Sequence, residues 1–281
     1  MHFPEFIKPA AIIRLLTFAI AGFAMAGYIL PFISDDVQKA LNPHMLKMLL
    51  VFSIFAGVCF QILVFRKKFS WLVLAIHIFV CMMMVRINIY TPTVALVSII
   101  WIVLSRFNII KPNTAISLLC LNTLSLGLLS NEFQFAKLWP VIMVYAVLYF
   151  VLDPCVNNKI EKFKLWSYVA MLAALVAGMV LLQRTTNFSF IWNSLPFMCI
   201  FLLVNIMNLY KYLNNSDEGN NQRFIYQLPS FLILLNAAII AGFAGIWYGF
   251  FILLLMPFTF VLFKTFEEDN SFSVTQKDLT L

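Results

Sequence analysis

The sequence predicts an all-α membrane protein: a polytopic bundle of about ten transmembrane helices, within a range of about eight to ten, joined by short loops. Three observations predict it. The first is composition. Of 281 residues, 63% are hydrophobic and 11% charged, whereas a soluble domain carries about 25% charged residues and needs them to coat its surface. The second is that the apolar residues fall in runs near the ~20 residues that cross a hydrocarbon core at ~1.5 Å per residue. The third is that the basic residues alternate from loop to loop.

The first run, Ala11 to Ile33, follows Lys8 and contains Ala24-Met25-Ala26, a cleavage-like site. Because the apolar run continues through Tyr28 to Ile33, it reads as a transmembrane helix rather than a cleaved signal. The second run is Leu46 to Phe65. Ser70 to Phe107 is too long for one crossing and is interrupted at Arg86-Ile87-Asn88-Ile89-Tyr90-Thr91-Pro92. It therefore splits into a third and a fourth helix of about 16 residues each. The fifth helix is Thr114 to Ser130, the sixth Leu138 to Leu152, the seventh Trp166 to Leu182 and the eighth Phe190 to Tyr210. The last stretch, Phe224 to Phe263, would be about 60 Å long as one helix, twice the hydrocarbon thickness. It must turn, and Gly242, Gly245 and Gly249 mark the place. Residues 1–266 thus read as one transmembrane domain and 267–281 as a short polar tail.

Orientation follows from charge. With the N-terminus inside, only Lys39, Lys47, Arg86, Lys137 and Arg184 of the 19 basic residues fall outside. The other fourteen lie in cytoplasmic segments, Arg66-Lys67-Lys68 being the densest group. Both ends are then cytoplasmic and the expected location is the plasma membrane, as a multi-pass protein. All six tryptophans fall near an expected interface. Ile20-Ala21-Gly22-Phe23-Ala24 recurs at Ile240-Ala241-Gly242-Phe243-Ala244. A five-plus-five inverted repeat would not pair those two helices, so the match reads as coincidence.

Candidate functional residues are the polar groups at depth, because the bilayer makes them costly. His77 lies midway along the third helix, Asn122 along the fifth and Asn236 along the ninth. Asn205 and Asn208 share a face of the eighth. Arg86 sits at the sparsely basic outer side, where an anionic group could use it. These six are the candidate substrate-binding residues. The everyday alternatives are interhelical hydrogen bonding for His77 and the asparagines and snorkelling for the arginine.

No carboxylate falls at expected mid-depth, which argues against ion coupling. No paired-aspartate motif, His-Glu-x-x-His, Gly-x-Ser-x-Gly or Walker motif is present. Three histidines, His2, His44 and His77, are too few for a multi-histidine iron centre. Cys59, Cys81, Cys120, Cys155 and Cys199 form no Cys-x-x-Cys pair and read as free thiols. Hence no catalytic residue, metal site or cofactor is predicted. The net charge of +7 serves orientation, and nucleic acid is not an expected partner. Ala237, Ala241, Gly245 and Gly249, and Ala170, Ala174 and Gly178, form small-residue stripes that suit close helix packing. Pro196 and Pro257 fall inside helices and should kink them.

Three functions fit this outline. A transporter or permease for a small or lipophilic molecule suits the helix count and the uncharged polar interior. The outline resembles that of the drug/metabolite carriers in helix count and orientation, with no shared motif. A non-catalytic membrane subunit or assembly factor, partnered through the small-residue faces, suits the scarcity of deep polar groups. An intramembrane enzyme acting on a lipid or polyprenyl substrate would need interfacial groups such as Arg86, or Asp153 with Lys159 and Lys162. The expected partners are accordingly the bilayer, a small-molecule or lipid substrate, and a membrane protein.

Overall fold

Local sequence chemistry decides where each helix starts and stops. A computed structural model describes residues 9–27, 43–65, 70–110, 112–155, 189–214, 232–255 and 257. Every regular element among the described residues is helical: α1 (Pro9–Met25), α2 (Pro43–Phe65), α3 (Trp71–Met83), α4 (Thr91–Arg106), α5 (Pro112–Leu128), α6 (Glu132–Cys155), α7 (Ser189–Asn214), α8 (Leu232–Ala244) and α9 (Ile246–Leu253). The expected seventh helix, the polar loop Asn214 to Asn221 beyond its first residue, both termini and the 267–281 tail lie outside the described residues.

Proline opens α1, α2 and α5 and lies in the first turn of α4. Its missing N–H is no loss there, and its φ is already helical. Ser70 caps α3, its hydroxyl accepting from the Val73 N–H at 3.5 Å. The break expected at 86–92 is a single 3-10 turn, Met84–Arg86, followed by a tight corner. There Asn88 Oδ1 accepts from the Tyr90 N–H at 3.0 Å, and Thr91 Oγ1 donates to the Asn88 carbonyl at 2.7 Å. α4 ends in a Schellman motif. Asn108, at φ 57°, donates its N–H to the Ser105 carbonyl and Ile109 to that of Leu104, at 3.1 and 2.9 Å.

Some boundaries differ from expectation. α1 stops at Met25 rather than running on to Ile33, because Gly27 takes φ 89° and donates back to the Ala24 carbonyl at 3.0 Å. Residues 28–33 lie outside the described residues. α6 begins at Glu132, six residues earlier than Leu138, because Asn131 Oδ1 accepts from the Gln134 N–H at 3.4 Å. α7 extends to Asn214, past Tyr210, and runs through Pro196 without ending. The last apolar stretch turns at Gly245, whose φ of 113° and ψ of 157° are open only to glycine. The chain then doubles back. A Cβ on Gly249 would stand 2.6 Å from that of Ala241, two residues that a continuous helix would hold about 12 Å apart.

α1 packs closely along α5 and also packs on α2. Gly22 and Gly127 sit at the α1–α5 crossing. A Cβ on Gly127 would fall 2.7 Å from the Ala19 carbonyl oxygen and the Phe23 nitrogen, and one on Gly22 would strike the Leu124 carbonyl. These two glycines let the backbones touch. α3 and α4 form a hairpin against α2, and α4 and α6 flank α5. α8 is buried from Leu232 through Ala241 on every side, as a central helix must be.

The outward faces are apolar too. On α3, Trp71, Leu72, Ile76, Phe79 and Met82 are exposed, and on α7, Trp192, Leu195, Leu203, Ile206 and Met207. Two described segments are long and apolar enough to cross a membrane, His44–Val64 with 21 residues and Phe190–Met207 with 18. The helices 71–86 and 91–106, expected to be short, are indeed shorter than that.

Candidate functional site

α4 turns one face inward along its whole length: Thr91, Ala95, Ser98, Ile102 and Ser105 are buried. Three of these carry hydroxyls, spaced by seven residues, or about 10.5 Å of helix. The face packs on α3, whose buried residues include His77 and Cys81, one helical turn apart. The hairpin therefore carries a polar seam.

The middle of the seam is a built cluster. His77 is fully buried, and its Nε2 lies 2.8 Å from Ser98 Oγ. Ser98 Oγ lies 2.6 Å from the Ala95 carbonyl oxygen. A carbonyl has no proton, so two oxygens this close hold the serine hydrogen between them. With the serine hydrogen placed on the Ala95 carbonyl, Ser98 accepts from His77, and this assigns the imidazole proton to Nε2. Cys81 Sγ donates to the same carbonyl at 3.5 Å and lies 3.8 Å from Nε2. The Phe52 ring of α2 flanks the imidazole, with centroids 5.7 Å apart. At the N-terminal end of α4 Thr91 Oγ1 also lies 2.5 Å from the Met84 carbonyl oxygen, so its one hydrogen is shared between that carbonyl and the Asn88 carbonyl. At the C-terminal end of α4 Arg106 Nη1 donates to the Val64 carbonyl of α2 at 3.4 Å.

Three buried side-chain atoms among the described residues meet no hydrogen-bonding protein group: His77 Nδ1, Ser105 Oγ and Asn122 Nδ2. Two of them line the seam. Leaving such a group unsatisfied costs about 1–3 kcal/mol, so their presence in an apolar interior calls for an explanation.

The other predicted residues fall elsewhere. Asn236 is fully buried in α8 and donates to Thr17 Oγ1 of α1 at 3.2 Å, joining the two central helices. Thr17 in turn donates to the Arg14 carbonyl at 2.8 Å. Asn205 is buried in α7 and donates to the Phe201 carbonyl one turn back, at 2.6 Å. Asn208 lies in the same helix, with its side chain outside the described residues. Arg86 is exposed in the 3-10 turn. No hydrogen bond of His77 reaches Asn122, Asn205 or Asn236. At the corner beside Arg86, Asn88 Nδ2 donates to the Glu132 carboxylate at 2.6 Å, and Asn131 Nδ2 to the Ala26 carbonyl at 3.0 Å. These bonds tie the α3–α4 corner to α6, and the α5–α6 turn to α1.

Sequence reasoning passed over Thr91, Ser98 and Ser105. Their seven-residue spacing was legible, but serine and threonine in helices commonly bond their own backbone and signal little singly. Cys59, Cys81, Cys120 and Cys199 are free thiols. No cluster of three or more metal-ligating side chains occurs among the described residues. No known protein family, curated protein or solved structure matches the chain.

Proposed function

We propose that this chain is a multi-pass plasma-membrane carrier that moves a small or lipophilic molecule through an uncharged polar seam. The observation that carries this reading is the cluster of His77, Cys81 and Ser98 with a buried nitrogen that no protein group engages. A packed structural histidine ordinarily uses both ring nitrogens. A site that meets a passing molecule keeps one free.

The membrane part of the proposal is supported by the outward faces. Helices too short by themselves to count as spans still present tryptophan, phenylalanine, leucine and methionine outward. A helix apolar on both faces suits lipid on one side and protein on the other. The fourteen-to-five bias of basic residues supports ten crossings with both ends cytoplasmic. The membrane-subunit reading draws no support from the Ala237 stripe, since Ala237 and Ala241 are buried within the chain itself.

Two experiments test this. Reporter fusions at Lys67 and at Asn88 should report opposite sides of the membrane, and the same side would undo the topology. In proteoliposomes, flux of candidate neutral solutes should fall at least tenfold for His77→Ala. Unchanged flux for His77→Ala would remove the proposed path.

A further inference from the structure

The hydrogen-bond directions at His77 state what the site accepts. Ser98 spends its proton on the Ala95 carbonyl at 2.6 Å and takes the Nε2 proton of His77 at 2.8 Å. Nδ1 is then a bare lone pair, buried in a fully enclosed side chain, with no protein donor in reach. A lone pair is completed only by a donor, an O–H or N–H. Among the described residues the buried polar side chains are Ser, Thr, Gln, Asn and His, and the Arg106 guanidinium at the end of the seam stands eight residues, about 12 Å of helix, from Ser98. An ionised ligand would therefore enter with no counter-charge beside it, at a large desolvation cost. A carboxylate would moreover offer Nδ1 only further lone pairs.

We propose that His77 Nδ1 is the recognition point for a neutral hydroxyl group, and that the molecule bound in the α3–α4 seam is an uncharged alcohol or polyol. This assigns a substrate class to the carrier reading and rests on that reading for what reaches the site. The geometry of the acceptor stands without it. Cys81 and Ser98 both lie at Nε2, which leaves Nδ1 as the ring nitrogen without a protein partner. Neither is a donor to the ligand, because the serine proton and the thiol proton both go to Ala95. The hydroxyl can come from a free solute or from a lipid, and the chemistry at Nδ1 is the same for both.

Nitrogen NMR of the full chain in lipid nanodiscs, with ¹⁵N-histidine, tests this directly. The three histidines, His2, His44 and His77, are assigned by loss of one signal in His77→Phe. The expected result is an unprotonated Nδ1 whose resonance moves saturably on addition of one of two probes. Glycerol stands for a free polyol and diacylglycerol in the nanodisc for a lipid hydroxyl, so the responding probe identifies the source. Acetate at equal concentration should leave the signal in place. The proposal is overturned by a protonated Nδ1, by a signal unmoved by both alcohols, by one that responds only to exchange of water for heavy water (a structural water), or by an equal response to acetate. A saturable shift without any glycerol or diacylglycerol flux in proteoliposomes would keep the site and retire the carrier. Flux of some other solute with an unmoved signal would do the reverse.

Discussion

Adding one methyl group at Gly127 should separate α1 from α5. The ideal Cβ there lies 2.7 Å from the Ala19 carbonyl oxygen and the Phe23 nitrogen, where ordinary contact begins at 3.4 Å. The shortfall is about 0.7 Å, and both obstacles are backbone atoms that cannot rotate aside. α1 must move off α5 by that amount, and a gap of 0.5–1 Å forfeits about a quarter to a half of each contact's attraction. Overpacking of this kind costs about 3 kcal/mol. Replacing glycine by alanine in a helix returns about 1 kcal/mol, leaving Gly127→Ala destabilised by about 2 kcal/mol, a factor of about 30 in the folding equilibrium. Gly57→Ala is the matched control. Its Cβ would meet side-chain atoms, Ile12 Cγ1 at 3.0 Å and Leu15 Cδ1 at 3.2 Å, with the nearest backbone atom at an ordinary 3.6 Å. It should lie between unchanged and about 1 kcal/mol more stable. Reversible unfolding in mixed micelles by SDS titration, followed by tryptophan fluorescence, measures both. If Gly127→Ala proves no less stable than Gly57→Ala, the close crossing of α1 and α5 is wrong.

Gly245→Ala should cost about 1–3 kcal/mol in the same titration, since no alanine settles at φ 113° and ψ 157°. Asn236→Ala and Thr17→Val should show a coupling of about 0.6 kcal/mol and at most about 1.7 kcal/mol in a double-mutant cycle, the range for interhelical bonds in lipid. Strict additivity would deny that bond. Asn108→Gly should be neutral or slightly stabilising and Asn108→Val should cost about 1–2 kcal/mol, because Asn108 closes α4 at φ 57°. Equal stability of the two would argue against the Schellman end. Ser98→Ala should leave His77 Nε2 without its partner and destabilise by about 1–3 kcal/mol, and an unchanged midpoint would count against the His77–Ser98 bond.

Much of the helix plan was legible because it depends on local sums. The corner at Arg86 to Pro92 follows from a run too long for one crossing, punctuated by Asn88 and Pro92. The turn after Ala244 follows from the length of the last run, although three glycines marked it equally. Only the backbone separates them: Gly245 carries the turn, Gly242 meets the Phe190 ring, and Gly249 lets Ala241 and Phe197 approach. The start of α6 was missed because Glu132 to Lys137 lower the local hydropathy, while the cap at Asn131 outweighs them. The recurring Ile-Ala-Gly-Phe-Ala segments show the limit of reading letters. Gly22 faces the α5 backbone, and Gly242, in the same five-residue context, faces an aromatic ring.

Alone, the sequence determined that the chain is helical, where its helices break, and which polar residues stand amid apolar ones. Hydropathy, charge and turn chemistry act on each stretch through its own residues, so a linear reading suffices for them. Partnership was decided only by the tertiary structure. Asn236 became a pin between α8 and α1 by meeting Thr17, 219 positions away. His77 became a one-sided acceptor because Ser98, on the next helix, had already given its proton to Ala95. Such outcomes depend on the rotation and crossing of whole helices, set by packing all along their length, which no single position records.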